Sequence, residues 1–158
     1  MTTGATFQLQ DRFLLDRGTV ALSGIQALLR VPLDLQRADA RRGLRTAGLI
    51  TGYRGSPLGG LDLTVERNLG LLAEHDIRFI SGVNEDLAAT AIAGSQQVHS
   101  FPDPQYDGVF GLWYGKAPGL DRSGDALRHG NFGGVDPNGG VLVVVGDDPA
   151  CKLSLIHI

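Results

Sequence analysis

Apolar positions along this chain alternate between two spacings. From Gly18 to Arg42, Leu22, Ile25, Leu28, Leu29 and Leu33 recur every three or four residues, which predicts a helix. Pro32 should kink or divide it. Arg37, Arg41 and Arg42 crowd its end, and Gly43 is a natural stop. Ala47-Gly48-Leu49-Ile50 is a short unbroken apolar run and predicts a buried strand. Leu61 to Glu74 predicts a helix with Leu61, Val65, Leu69 and Leu72 on one face, and Ile77 to Ile80 a second strand. Glu85 to Val98 predicts a helix of small residues (Ala88, Ala89, Ala91, Ala93, Gly94, Ser95). Such a helix can lie close to a neighbour, including one across a subunit interface. Gly108 to Trp113 predicts a third strand, and Gly119 to Arg128 a loop and short helix. Val141 to Val145 reads as a central parallel strand. Residues 1–17 read as a lead-in arm, and 18–152 as one domain. Strands alternating with helices predict the α/β class, a parallel sheet flanked by helices. Ligands of such sheets bind beyond the carboxyl ends of the strands. The segments 52–60, 82–85 and 114–123 share that edge.

Composition narrows the picture. A chain of 158 residues, 42% of them hydrophobic, can bury a core and does not read as disordered. A net charge of −3 offers no basic surface to nucleic acid. No apolar run approaches the ~20 residues of a membrane span. The polar first ten residues lack a signal peptide's apolar core, so a cytoplasmic location is expected. Cys151 is the sole cysteine, which excludes an internal disulfide or an iron–sulfur site built from this segment alone. Glycine is the outlier: its 23 residues are about twice the usual ~7%. They fall between apolar runs without a repeat period, a pattern of tight turns and close backbone approaches.

Several positions carry candidate chemistry, each with a plainer alternative. Glu85 could serve only the dipole of the helix it opens. It could instead be a partly buried acid that shares a proton with a ring nitrogen. Its neighbour Asp86 reads as a solvated carboxylate or a cap. The run Gly52-Tyr53-Arg54-Gly55-Ser56-Pro57-Leu58-Gly59-Gly60 lacks the Gly-Lys-Ser/Thr ending of a P-loop and is not G-x-G-x-x-G. It is either a turn restricted before Pro57, or a loop in which Arg54 and Ser56 grip a carboxylate or phosphate. Trp113 to Asp125 is either an anion site built on Lys116 and Arg122 or a surface loop with local Asp–Arg pairing. Arg37, Arg41 and Arg42 admit a nucleic-acid patch, but cations at a helix end account for them. His75, His99, His129 and His157 show no metal-ligand spacing. Gly146-Asp147-Asp148 begins like a Mg²⁺–diphosphate motif, lacks its continuation, and reads as a strand-end turn.

Four blocks, in this order, resemble the N-terminal part of the indolepyruvate ferredoxin oxidoreductases. These are thiamine-diphosphate-dependent 2-oxoacid:ferredoxin oxidoreductases. The blocks are Thr51 to Gly60, Val83 to Ala91, Gly111 to Asn131 and Gly146-Asp147-Asp148, and the likeness covers most of 12–152. The third is long and unusual in composition. The resemblance implies a thiamine-diphosphate-binding fold, with this segment the pyrimidine-binding domain, incomplete at its C-terminus. Glu85 matches the acid that hydrogen-bonds N1′ of the aminopyrimidine and promotes loss of the thiazolium C2 proton. Gly55, Ser56 and Pro57 match the loop approaching the cofactor, and Tyr53 and Arg54 would meet the substrate, Arg54 at its carboxylate. The implied reaction is oxidative decarboxylation of aryl 2-oxoacids to acyl-coenzyme A, with ferredoxin as electron acceptor, in a homodimer or multi-subunit complex without membrane or nucleic acid. Mg²⁺ and [4Fe-4S] clusters would be held by parts of the enzyme absent from these residues. The piece is therefore expected to hold half a cofactor site and not to turn over alone. Leu153 to Ile158 departs from the family pattern and reads as a non-native tail. Two other readings stand beside this one: a non-catalytic α/β subunit-interaction domain, and another thiamine-diphosphate enzyme such as a decarboxylase or synthase.

Overall fold

A computed structural model describes residues 8–54 and 58–146. In chain order the elements are α1 (Asp11–Leu14), α2 (Gly24–Arg41), β1 (Thr46–Tyr53), α3 (Leu61–Glu66), α4 (Leu69–Ala73), β2 (Ile77–Gly82), α5 (Glu85–Ser95), a 3-10 turn at Val98–Ser100, β3 (Gly108–Gly115), α6 (Ala117–Gly133) and β4 (Gly140–Val145). The four strands pair in parallel in the order β2-β1-β3-β4. This is the α/β architecture the alternating pattern predicts. Among the described residues no helix is long and apolar enough to cross a membrane.

Side chains of a strand point alternately to the two faces of the sheet, and this divides the core. Ile50, Phe110, Leu112 and Tyr114 face a cluster with Leu29 and Leu33 of α2, Leu61 and Val65 of α3, and Leu71 and Leu72 of α4. Leu49 and Trp113 face a second cluster with Ala88, Ala89 and Ile92 of α5 and Leu120 and Leu127 of α6. The chain runs from β1 outward to β2, and α5 then carries it back across β1 to β3. The order therefore reverses between β1 and β3, the place where doubly wound sheets open a crevice for ligands.

Several elements differ from their sequence expectation. The first long helix spans 24–41, not 18–42, because the Ser23 hydroxyl and Gln26 side chain form a reciprocal capping box at its start. It runs through Pro32 without dividing. Pro32 itself is buried beside Leu29 and Leu33, and that packing offsets the ~3 kcal/mol a helix-interior proline costs. Gly43, at φ +78°, closes the helix as expected, with Gly43 N–H donating to Ala40 and Leu44 N–H to Asp39. The expected helix over 61–74 is two short helices separated at Arg67 and Asn68, where the Asn68 amide donates to the Thr64 carbonyl at 2.7 Å. The expected loop and short helix over 119–128 is instead the 17-residue α6.

The described part of the lead-in arm packs onto the domain. Phe13 is buried, Arg30 donates to the carbonyls of Arg12 and Leu15, and Arg37 donates to that of Phe13. Asp34 lies between those two arginines. Burial alone would raise its carboxyl pKa, but hydrogen bonds from Arg37 and Arg30 hold it below the usual value.

Candidate functional site

Glu85 is the first residue of α5, directly after β2. Asn84 starts the helix by accepting the Leu87 N–H at 2.8 Å, so the cap is Asn84 and not Asp86. A carboxylate in that turn is normally solvated; here the residue is only 8% exposed. Two contacts from distant parts of the chain shelter it. The Trp113 indole N–H donates to the Glu85 main-chain oxygen at 3.1 Å in a buried setting. The first turn of α6 lies against the side chain: a Cβ added at Gly119 would stand 2.7 Å from Glu85 Cγ and 3.3 Å from Oε1. Among the described residues the carboxylate makes no hydrogen bond or ion pair. Its two oxygens are not among the fully enclosed atoms that lack a partner, so the small exposed part of this residue leaves the carboxylate open at the edge of the sheet. A single accepting carboxylate held at this edge fits a flat heterocycle that presents one ring N–H or shares a proton through one ring nitrogen, as an aminopyrimidine does.

The strand register places the other candidates. Thr51 lies opposite Trp113, and Tyr53 opposite Gly82, on the same face of β1 as Leu49. Tyr53 thus shares both face and edge with Glu85 and is half-buried. Arg54 goes the other way. It forms an ion pair with Glu66 of α3, 3.0 Å to Oε1, on the opposite side of the sheet. Gly55, Ser56 and Pro57 lie outside the described residues. Lys116 immediately precedes α6 and Arg122 is exposed upon it, so the segment expected as a polar loop is a helical first turn. His75 meets the Leu71 carbonyl, His99 pairs with Asp136 and His129 with Asp125. Among the described residues no group of three or more potential ligands could hold a metal. Asp147, Asp148, Cys151 and His157 lie outside them.

Three buried hydroxyls lack a partner among the described residues: Thr51 Oγ1 and Tyr114 OH at the carboxyl ends of β1 and β3, and Ser123 Oγ one turn after Gly119. No local pattern marks these three hydroxyls individually, nor the roles of Trp113 and Gly119, although Tyr114 and Ser123 fall within the polar segment 113–125. The only available signals were a sole tryptophan at the end of a predicted strand and a glycine where a helix was about to start. A hollow of about 390 Å³ lies along α4 and β2, lined by Leu69, Asp76 and Arg78, and does not include Glu85. A groove of about 370 Å³ runs between α5 and α6 over Thr90, Ala93, Gly94, Ala126 and Gly130. Comparison with protein-family models, with curated proteins and with solved structures finds no match for this chain.

Proposed function

We propose that this chain is the pyrimidine-binding part of a thiamine-diphosphate enzyme of the indolepyruvate ferredoxin oxidoreductase type. The observation that carries the reading is Glu85: a sheltered, unpartnered carboxylate at a helix start, on the ligand edge of a parallel sheet. Thiamine diphosphate, when bound, supplies the nucleophilic carbon and electron sink for decarboxylating a 2-oxoacid. The chain's own part is narrower. Glu85 shares a proton with ring nitrogen N1′. Trp113, through the Glu85 main-chain oxygen, and Gly119, beside its side chain, hold the acid in place for that contact. Tyr53 borders the same edge. Arg54, exposed and paired among the described residues with Glu66 on the other face of the sheet, would have to leave that pair and swing across the edge to meet a substrate carboxylate. The aryl 2-oxoacid, coenzyme A and ferredoxin belong to this proposal through the whole enzyme.

Glu85→Gln keeps the size of the side chain and removes its capacity to take a proton. In the enzyme that carries this domain, we expect thiamine diphosphate with Mg²⁺ to bind more weakly by calorimetry. Proton exchange at the thiazolium C2 should slow by about a hundredfold. Unchanged exchange would reject the assignment. A second reading, a non-catalytic subunit-interaction domain, draws on one observation: beyond its first turn α5 carries no charge, yet Leu87, Thr90, Ala91 and Gly94 are exposed. That reading expects no thiamine diphosphate binding and no effect of Glu85→Gln. Another thiamine-diphosphate enzyme would bind the cofactor but release aldehyde without reducing ferredoxin.

A further inference from the structure

We propose that Trp113 is a positioning residue for Glu85, with Gly119 as the opposing wall; the claim rests on the reading of Glu85 as the cofactor-facing acid. Trp113 is the sole tryptophan of the chain, is fully buried, and sits near the carboxyl end of β3. Its indole N–H reaches across to the Glu85 carbonyl at 3.1 Å and so ties the first turn of α5 to β3. The ring cannot tilt away freely, because Gly115 is packed beneath it: a Cβ there would lie 2.6 Å from Cη2. From the other side, the bare Cα of Gly119 leaves just the space the Glu85 side chain occupies. The backbone of Glu85 is thus fixed by one contact and its side chain confined by another. A carboxylate that must meet one ring nitrogen needs this, since a displacement near 1 Å is enough to lose most of the benefit of orientation.

The test uses the 158-residue chain and two variants. Trp113→Phe removes the donor and retains an aromatic core residue. Gly119→Ala pushes on the Glu85 side chain while improving the helix propensity of α6, so it keeps the proposal testable should Trp113→Phe fold poorly. The first readout is the set of three-bond couplings along the Glu85 side chain without any ligand. We expect one rotamer in the wild type and an averaged or different one in each variant. The second is thiamine binding followed by ligand-observed NMR, which should weaken about tenfold in each variant. It should weaken no further when Trp113→Phe is added to Glu85→Gln. Unchanged couplings in both variants, or a full Trp113→Phe penalty on top of Glu85→Gln, would overturn the positioning role. If wild type and Glu85→Gln bind thiamine equally, the aminopyrimidine reading falls instead, and the couplings still decide whether Trp113 holds Glu85.

Discussion

At the scale of single residues, the glycine excess becomes intelligible as sockets for large neighbours. The Tyr114 ring lies across Gly52, where a Cβ would stand 2.7 Å from Cε1 and Cζ. Ile92 is seated the same way on Gly111 and Phe110 on Gly48. Gly52 therefore makes room for β3 as well as opening the loop that follows, which the sequence alone does not reveal. The Tyr114 hydroxyl ends that packing without a hydrogen-bond partner among the described residues. Its pKa is pushed well up, by burial first and then by the carboxylates of Asp62 and Glu66. A raised value means the folded state holds the proton more tightly than the unfolded chain. The associated stability is complete below the unfolded value of about 10 and is lost as pH climbs through the higher folded one. Tyr114→Phe should leave stability at pH 7 unchanged or raise it by about 1 kcal/mol, since no hydrogen bond is lost. It should also lose less than wild type above pH ~10. Urea unfolding of both proteins at neutral and alkaline pH checks this; equal alkaline losses would contradict it. Glu85 illustrates the same divide. Its place after a strand and at a helix start is written locally, whereas its shelter depends on Trp113 and Gly119 arriving from later elements.

At the scale of elements, α6 is the least legible. It holds Gly119, Gly124, Gly130 and Gly133 in one helix, and each interior glycine costs ~1 kcal/mol relative to alanine. Local propensity thus argues for the loop and short helix that the sequence suggests. Packing overrides it: Gly119 admits Glu85, and Gly130 lets α6 approach Ala93 of α5. Pro118, in the first turn, has the backbone angle a helix start needs. Gly124 has no such duty, because a Cβ there would meet nothing within 4 Å. Gly124→Ala should therefore stabilise the chain by about 1 kcal/mol and raise Tm by a few degrees in calorimetry. A lower Tm would mean that α6 is packed more tightly at that point than the structure shows. The division of 61–73 into α3 and α4 was hidden for a related reason. The apolar spacing runs on through Asn68, and nothing local announces that its side chain will bond back to Thr64.

At the scale of the whole molecule, β4 is where pattern and position part. Its run of glycine, leucine and valines reads as a strand covered on both faces. In the described residues it lies at the sheet's end, beside β3 alone, with Val141, Leu142, Val143 and Val145 each 38–41% exposed. An apolar edge of this kind invites association. Leu142→Lys should lower light scattering of concentrated solutions at a stability cost within about 1 kcal/mol, since the lysine stem can lie along the strand while its ammonium stays in water. Unchanged scattering would show that β4 does not drive association. The sequence by itself determined the alternation of strands and helices, the α/β class, and the place of Glu85 at a helix start beyond the carboxyl end of a strand. Those features follow from hydrophobic period and turn chemistry, which act over a few residues. Only the tertiary structure decided the order β2-β1-β3-β4, the continuity of α6, the turning of Arg54 toward Glu66, and the enclosure of Glu85 by Trp113 and Gly119. Each of these depends on contacts between residues far apart in the chain, and such contacts leave no period to read.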